Sequence, residues 1–333
     1  MITRIHIQNY RSFVDAEVKL RPFSLVIGAN GSGKTNLLRA FAKTSDWHPQ
    51  KSLGDAAGRG SEPKALHVNA ESRLAKIEFG LASGSSQTVE TLENRLGDSL
   101  WTGYLFDKFV PIFSLSAEAI SNPEKIQTQP EVYFDGSGTT QVLEGLKNGD
   151  REDLFDAIES KFRLYVPEVE KLSLRTVEPG TKQIQVRERG LKEPLPASEL
   201  SEGTRLILCI LTIIHQEKPP PVILLEDIDR GMHPRIFEQV VPLMRDIAEK
   251  HDINIIATTH NPFLVDCFED DPEAVIIVEK KDGASTLSTL KSRMEGLDYD
   301  KVDPDEMPLG NLWYSGLVGG VPLPGRRRNR REA

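Results

Sequence analysis

This sequence predicts an α/β fold with a largely parallel core sheet, and three observations carry the prediction. Gly28-Ala29-Asn30-Gly31-Ser32-Gly33-Lys34-Thr35 fits G-x-x-x-x-G-K-[ST] and lies between the short apolar run Phe23 to Ile27 and the helically spaced Leu37, Leu38 and Phe41. Two more apolar runs, Val222 to Leu225 and Ile253 to Ala257, end in polar residues, as buried strands do at the functional edge of a parallel sheet. These runs alternate with helical patterns, which is the order of a parallel α/β core.

Taken in order, Ile5 and Ile7 and then Val14, Ala16, Val18 and Leu20 alternate with polar residues and predict two N-terminal antiparallel strands joined through Asn9 to Phe13. Thr44 to Lys64 is rich in Gly, Ser, Asp and Pro and reads as a loop. A strand around Ile77 and Phe79 follows, then helical stretches near Thr88 to Leu96 and Asp150 to Phe162. Leu172 and Leu174, a Glu178-Pro179-Gly180 turn, and Ile184 and Val186 predict a hairpin with a long loop. The core resumes with Ile207, Ile210, Leu211 and Ile214 on one helical face, and a helix from Pro234 toward Lys250 carries Pro242 inside it. Ala274 to Val278 begins a strand–turn–strand unit with Asp282-Gly283 at its turn. The expected organisation is one domain over 1–320, its core formed by 1–80 and 199–295 around an inserted α/β lobe of about 81–198, with a basic, disordered tail at 321–333.

Composition narrows the classes. At 333 residues and 38% apolar content the chain can bury a sizeable core. It has no apolar run of about 18 residues, and Met1 to Ile5 enters strand-like alternation directly, so a cytoplasmic protein with no membrane partner is expected. The formal net charge of −9 repels phosphate, so nucleic-acid binding requires a local basic surface; the concentrated one is Arg326 to Arg331. Cys209 and Cys267 lie in apolar helical settings without ligand spacing and read as free buried thiols. The acidic stretches Glu269 to Asp271 and Asp298 to Glu306 lack regular ligand spacing and read as solvated loops.

The glycines of the loop let its backbone curl until N–H groups converge on an anion at a helix N-terminus. Lys34 would reach the β/γ-phosphates of a nucleotide and Thr35 would place a hydroxyl on Mg²⁺. Glu226 is placed to bind that ion and Asp227 to polarise an attacking water; His260 emerges at the same edge, where an imidazole can contact a γ-phosphate.

The ordered set GANGSGKT, LSEGT, LLEDID-RGMHP and TTHNP resembles the P-loop ABC-type ATPase heads of the RecF/SMC-type branch, including OLD-like ATPases and the short standalone ATPases of bacterial anti-phage systems. Leu312-Trp313-Tyr314-Ser315-Gly316 is similar to a tail element of the standalone group. The resemblance implies an ATP- and Mg²⁺-dependent ATPase whose heads form a homodimer face to face, Ser201, Glu202 and Gly203 of one subunit capping the ATP on the other's phosphate loop. It also implies phosphate contacts from Arg11 and Asn30 and a nucleotide-binding set of Asn30, Gly31, Ser32, Gly33, Lys34, Thr35 and Asn36. The same comparison points to a switch controlling a separate effector such as a Toprim-like nuclease, in phage defence; a RecF-like DNA-binding ATPase or a slow-turnover scaffold is the alternative. Two departures stand out: the water-activating position carries the short Asp227 where the family more often has Glu, and none of Gln87, Gln127 or Gln129 is assignable to the loop that completes the metal site.

Overall fold

The structure is a computed structural model that describes residues 1–42, 74–93, 99–102, 106, 110–217, 219–297 and 307–322. The expectations for Thr44 to Lys64, Asp298 to Glu306 and the Arg326 to Arg331 tail fall outside these residues.

The strands are β1 (Ile2–Tyr10), β2 (Phe13–Lys19), β3 (Phe23–Ile27), β4 (Leu74–Leu81), β5 (Ser86–Glu93), β6 (Ser99–Thr102), β7 (Ile112–Phe113), β8 (Glu124–Lys125), β9 (Val169–Glu178), β10 (Thr181–Glu188), β11 (Leu195–Pro196), β12 (Val222–Leu225), β13 (Asn254–Thr258), β14 (Val275–Lys281) and β15 (Ala284–Thr289). The helices are α1 (Lys34–Ala42), α2 (Ala117–Ser121), α3 (Thr139–Asn148), α4 (Glu152–Tyr165), α5 (Glu202–His215), α6 (Pro234–Lys250), α7 (Pro262–Asp266), α8 (Leu290–Met294) and α9 (Leu309–Tyr314).

Eleven strands form one mixed sheet in the order β6-β5-β4-β1-β2-β15-β14-β3-β13-β12-β7. Its core, β14-β3-β13-β12-β7, is parallel throughout, while β6, β5, β4, β1 and β2 pair antiparallel, as the N-terminal alternation predicted. The parallel strands are buried on both faces, which is why they read as nearly continuous apolar runs, interrupted at Ser24 and Asn254. Leu25, Ile27, Ile223, Leu225, Ile255 and Ala257 face one core with α5 and α6. Val26, Val222, Leu224 and Ile256 face a second core with Leu37, Leu38 and Phe41 of α1. The sheet is pinned across its width by Asn254, whose Oδ1 accepts from Ile2 N (2.7 Å) and whose Nδ2 donates to Ile2 O (2.9 Å). Buried at 1% exposure, that amide is fully used.

A second sheet, β11-β10-β8 with β9 on β10, is built from residues 124–196 and packs with α3 and α4. Strands β5, β6 and β7 belong to the large sheet, so the chain leaves that sheet well after residue 81. The helix expected near Thr88 to Leu96 is instead strand β5 through Glu93; Thr88, Val89 and Thr91 are residues whose branched side chains favour a pleated surface, and the pairing Ile77↔Val89 buries Val89. The β9–β10 hairpin forms, but its loop is the two-residue Pro179-Gly180 turn with Gly180 at φ 75°, not a long loop. Val14 points outward at 44% exposure while Phe13 is buried, a departure from simple alternation at the start of β2. Cys209 is buried, but Cys267 is only half-buried. No described helix is long and apolar enough to cross a membrane.

A candidate nucleotide site at the sheet edge

The phosphate loop joins β3 to α1, so its position follows from a strand buried on both faces and a helix packed on the second core. Gly28 is required by close approach: at φ 151°, a Cβ there would lie 2.3 Å from Val278 O. Gly33, at φ 119°, is hemmed in by the hydroxyls of Ser285 (2.6 Å) and Ser12 (2.8 Å). Gly31 has open space around it and is present for its φ of 74°. The loop is braced from two other elements. Ser285 Oγ of β15 donates to Ser32 O (2.5 Å), and Asn36 Nδ2 of α1 donates to Ser12 Oγ (3.0 Å) in the β1–β2 turn.

Lys34 folds back over this loop, Nζ donating to Gly28 O (2.8 Å) and Ala29 O (3.1 Å). Burial pushes its pKa down from 10.5 to about 8, against the pull of Asp227 and Glu226 in the opposite direction. The ammonium is therefore a poorly solvated cation beside two carboxylates, held on carbonyls that a phosphate can replace. Ser32 Oγ is buried without a hydrogen-bond partner, and the first-turn N–H groups of α1 have no intrahelical acceptors. An unpaired hydroxyl, orphan N–H groups and an undersolvated lysine around one loop fit a bound polyphosphate.

Just after β12, Glu226 accepts from Thr35 Oγ1 (2.5 Å), so the two expected metal ligands already touch. Among the described residues there is no cluster of three or more His, Cys, Asp or Glu side chains suited to a metal. A hydroxyl and one carboxylate fit a magnesium ion that takes its remaining ligands from phosphate and water rather than from a protein cage. Asp227 follows in the left-handed conformation (φ 50°) and is exposed. His260, at the end of β13, is also exposed; partial burial and Lys34 lower its pKa, with Asp227 and Asp229 opposing, which places the imidazole in the field of all three charges.

Arg11, at φ 52° in the β1–β2 turn, donates from Nε to Tyr10 OH (3.1 Å); its neighbour Ser12 touches the loop, so Arg11 sits at the rim. Asn30 is exposed at the crest. Ser201 is the N-cap of α5, accepting from Thr204 N (3.1 Å) and paired with Thr204 Oγ1 (2.7 Å), so its hydrogen bonds stay within its own first helical turn. Glu202 lies against the turn after β12, where a Cβ on Gly231 would meet Glu202 Oε2 at 2.1 Å, and Gly203 is pressed against Ile236 at the start of α6. Ser201 to Gly203 are thus fixed beside the Asp227 turn, with no hydrogen bond to the phosphate loop of the same chain.

Sequence reasoning missed the residues that hold these groups. Ser12 and Ser285 carry no motif; Thr258 and Thr259 lay inside TTHNP but drew no role. The loop leaving β7, the strand beside β12, is Ser114-Leu115-Ser116, and Phe113 O accepts from Glu226 N (2.7 Å). The glutamines considered for that place lie elsewhere: Gln87 on β5, Gln127 and Gln129 after β8.

Comparisons with known proteins agree with this geometry. The family model "AAA ATPase domain" matches residues 1–78, and "AAA domain, putative AbiEii toxin, Type IV TA system" matches residues 143–266. Between them they contain the phosphate loop, Ser201, Glu226, Asp227 and His260. No curated protein matches the chain. Similar solved structures include an Smc head bound to the C-winged helix domain of ScpA (14% identity, 88% of this chain and 99% of that one, TM-score 0.60). The SMC head domain from Thermotoga maritima is similar at 16% identity, over 86% of this chain and 98% of that one, with a TM-score of 0.51. The Smc head domain with an extended coiled coil bound to the C-terminal domain of ScpA, derived from Pyrococcus furiosus, is similar at 13% identity, over 90% and 99%, with a TM-score of 0.53. At these identities the likeness is one of fold. The chain thus carries AAA ATPase sequence on both sides of the site, over residues 1–78 and 143–266, on a fold like that of SMC heads, and this supports ATP hydrolysis at the site.

Proposed function

We propose that this ATPase is a switch that closes into a head-to-head homodimer around ATP and opens on hydrolysis, and that a separately encoded effector reads its state. Asn30 to Asn36 and Arg11 hold the phosphates, with Lys34 leaving its two carbonyls for the β/γ-phosphates. Thr35 and Glu226 hold Mg²⁺, which when bound supplies charge neutralisation on the phosphate oxygens. Asp227 polarises the attacking water, His260 contacts the γ-phosphate, and Ser201, Glu202 and Gly203 cap the nucleotide of the partner subunit. In this reading the chain to about residue 320 is one ATPase domain, the second sheet being its inserted lobe.

The observation that carries the proposal is the separation of two half-sites on one chain. Thr35, Glu226, Asp227 and His260 converge at the sheet edge, while Ser201 presents an exposed hydroxyl at a helix N-terminus with no bond to that loop. The N–H groups at a helix N-terminus can receive an anion brought by another subunit. A protein effector is supported by two of the similar heads, which were solved bound to domains of ScpA. A role in defence is supported by the toxin–antitoxin description of the family model at residues 143–266; a nuclease as effector follows from the sequence resemblance alone.

Light scattering on the Asp227→Asn protein tests the dimer. Mg-ATP is expected to double the 37.2 kDa mass, and ADP or ATP with chelator to leave it unchanged. A protein that binds Mg-ATP tightly and stays monomeric refutes the switch.

A further inference from the structure

We infer that Thr258 is a positioning residue for hydrolysis, fixing the aim of Asp227 by holding its backbone in the left-handed conformation. The inference rests on the reading of Asp227 as the water-polarising group. The Asp227 carboxylate has no hydrogen-bond or ion-pair partner among the described residues, and its side chain is exposed, so beyond the longer-range attraction of Lys34 no hydrogen bond at its tip sets where it points. Its direction comes from the backbone. That backbone is at φ 50°, a left-handed conformation that is uncommon for residues with a side chain, though Asp adopts it more readily than most, so what holds it there matters.

Within the turn Asp227 O accepts from Arg230 N (3.0 Å), and the anchor outside the turn is one buried threonine. Thr258 Oγ1 accepts from Asp227 N at 2.9 Å, and Thr258 O accepts from Ile228 N at 3.0 Å, so both amides flanking the turn end on the same residue. Thr258 is 1% exposed at the end of β13, a strand in parallel register with both β12 and β3, so the anchor is as rigid as the sheet. The next residue adds a second tether: Thr259 Oγ1, fully buried, donates to Asp229 Oδ1 (2.5 Å) and accepts from Asn261 N (3.0 Å). Two adjacent hydroxyls therefore tie the turn carrying Asp227 to the strand end carrying His260. A hydroxyl used only to finish a strand would need no partner in the neighbouring turn; this one accepts the amide of the carboxylate-bearing residue itself.

Thr258→Val keeps the shape and removes the acceptor, leaving Asp227 N unpaired and the turn free to relax. Turnover is expected to fall by about 10- to 100-fold, the scale of a misplaced reacting group, with the Kd for a fluorescent ATP analogue and KM unchanged. Thr258→Ser restores the acceptor and is expected to recover most of the rate. Adding Thr258→Val to Asp227→Asn should cost nothing further, because the threonine acts through the carboxylate. If the two losses multiply, or if valine lowers binding and turnover together, Thr258 is a structural residue and the inference fails. If valine does not fold, the Thr258→Ser and Thr258→Ala pair decides by the same split. Full turnover by Asp227→Asn would instead sink the reading of Asp227, a result distinguishable from a normal rate in Thr258→Val beside a dead Asp227→Asn.

Discussion

Burial of Lys34 makes a quantitative prediction about nucleotide affinity. Its ammonium is held at a pKa of about 8 because desolvation outweighs the attraction of Asp227 and Glu226. A triphosphate prefers the charged form, so binding above pH 8 has to restore a proton to the lysine. The affinity then falls with pH, with a slope approaching tenfold per unit until the pKa of the complex is reached. At pH 9 about one lysine in ten is charged, which weakens binding by about tenfold or ~1.4 kcal/mol. Phosphate itself contributes little to this slope, since its last proton is lost near pH 6. Titration calorimetry at pH 8.5 in two buffers of different ionisation enthalpy should read an uptake of about three-quarters of a proton per nucleotide. Lys34→Arg, charged throughout this range, should bind with neither slope nor uptake. A wild-type Kd that is flat from pH 7.5 to 9.5 with no proton uptake would refute the argument that the loop strips the lysine of solvent.

The same shift fixes the sign of a stability effect: below pH 8 both states carry the proton and the cost of burying it is fully present, whereas between about 8 and 10.5 the unfolded chain binds more protons and stability rises with pH. Lys34→Met should therefore melt above wild type at pH 7, the gap closing toward pH 10.5. If the ATP site is shared, mixing inactive Lys34→Ala with inactive Ser201→Asp in equal amounts should restore about a quarter of wild-type turnover, since half the dimers are mixed and each holds one intact site of two; aspartate retains the helix cap, so an inert mixture of folded proteins argues for sites completed within one chain. Gly28→Ala, with its Cβ 2.3 Å from Val278 O, should abolish binding and lower the melting temperature sharply, whereas Gly31→Ala meets open space and should cost only ~1 kcal/mol in a denaturant melt. Asp227→Glu should lower turnover despite its longer reach, because φ 50° suits Asp better than Glu; a faster enzyme would show that reach and not backbone limits the rate.

Much of the core was legible because its physics is local. A strand buried on both faces is mostly apolar, and Val222 to Leu225 and Ile253 to Ala257, broken only at Asn254, say so without any partner in view. The phosphate loop is legible for a similar reason, since its glycines answer to its own curvature and to the anion it holds. What stayed hidden is whatever depends on residues distant in sequence. The bond from Ser285 to Ser32 joins positions 253 apart, and that from Asn254 to Ile2 joins positions 252 apart. A serine or asparagine that will be buried against a partner about three-quarters of a chain away looks, in sequence, like one that faces water. Residues 88–93 read as helical because Val89 and Leu92 lie three apart, a helical spacing; the pairing of Val89 with Ile77 across the ladder is what makes this segment a strand.

The departure at 227 illustrates how a motif and its fold constrain each other. Compared with family patterns, the short carboxylate looks like a defect at the position where a longer side chain would reach further. In the structure that position is left-handed, its amide is committed to Thr258, and the turn it opens ends where Gly231 meets Glu202. Asp and Asn are the residues with side chains that tolerate this conformation best, so the backbone demanded by the turn selects the shorter acid. If Asp227 polarises the water as proposed, a group chosen by backbone geometry gives up reach for a fixed aim, and a fixed aim suits the proposed switch, which would have to hold ATP long enough for a second protein to read the closed state before hydrolysis resets it.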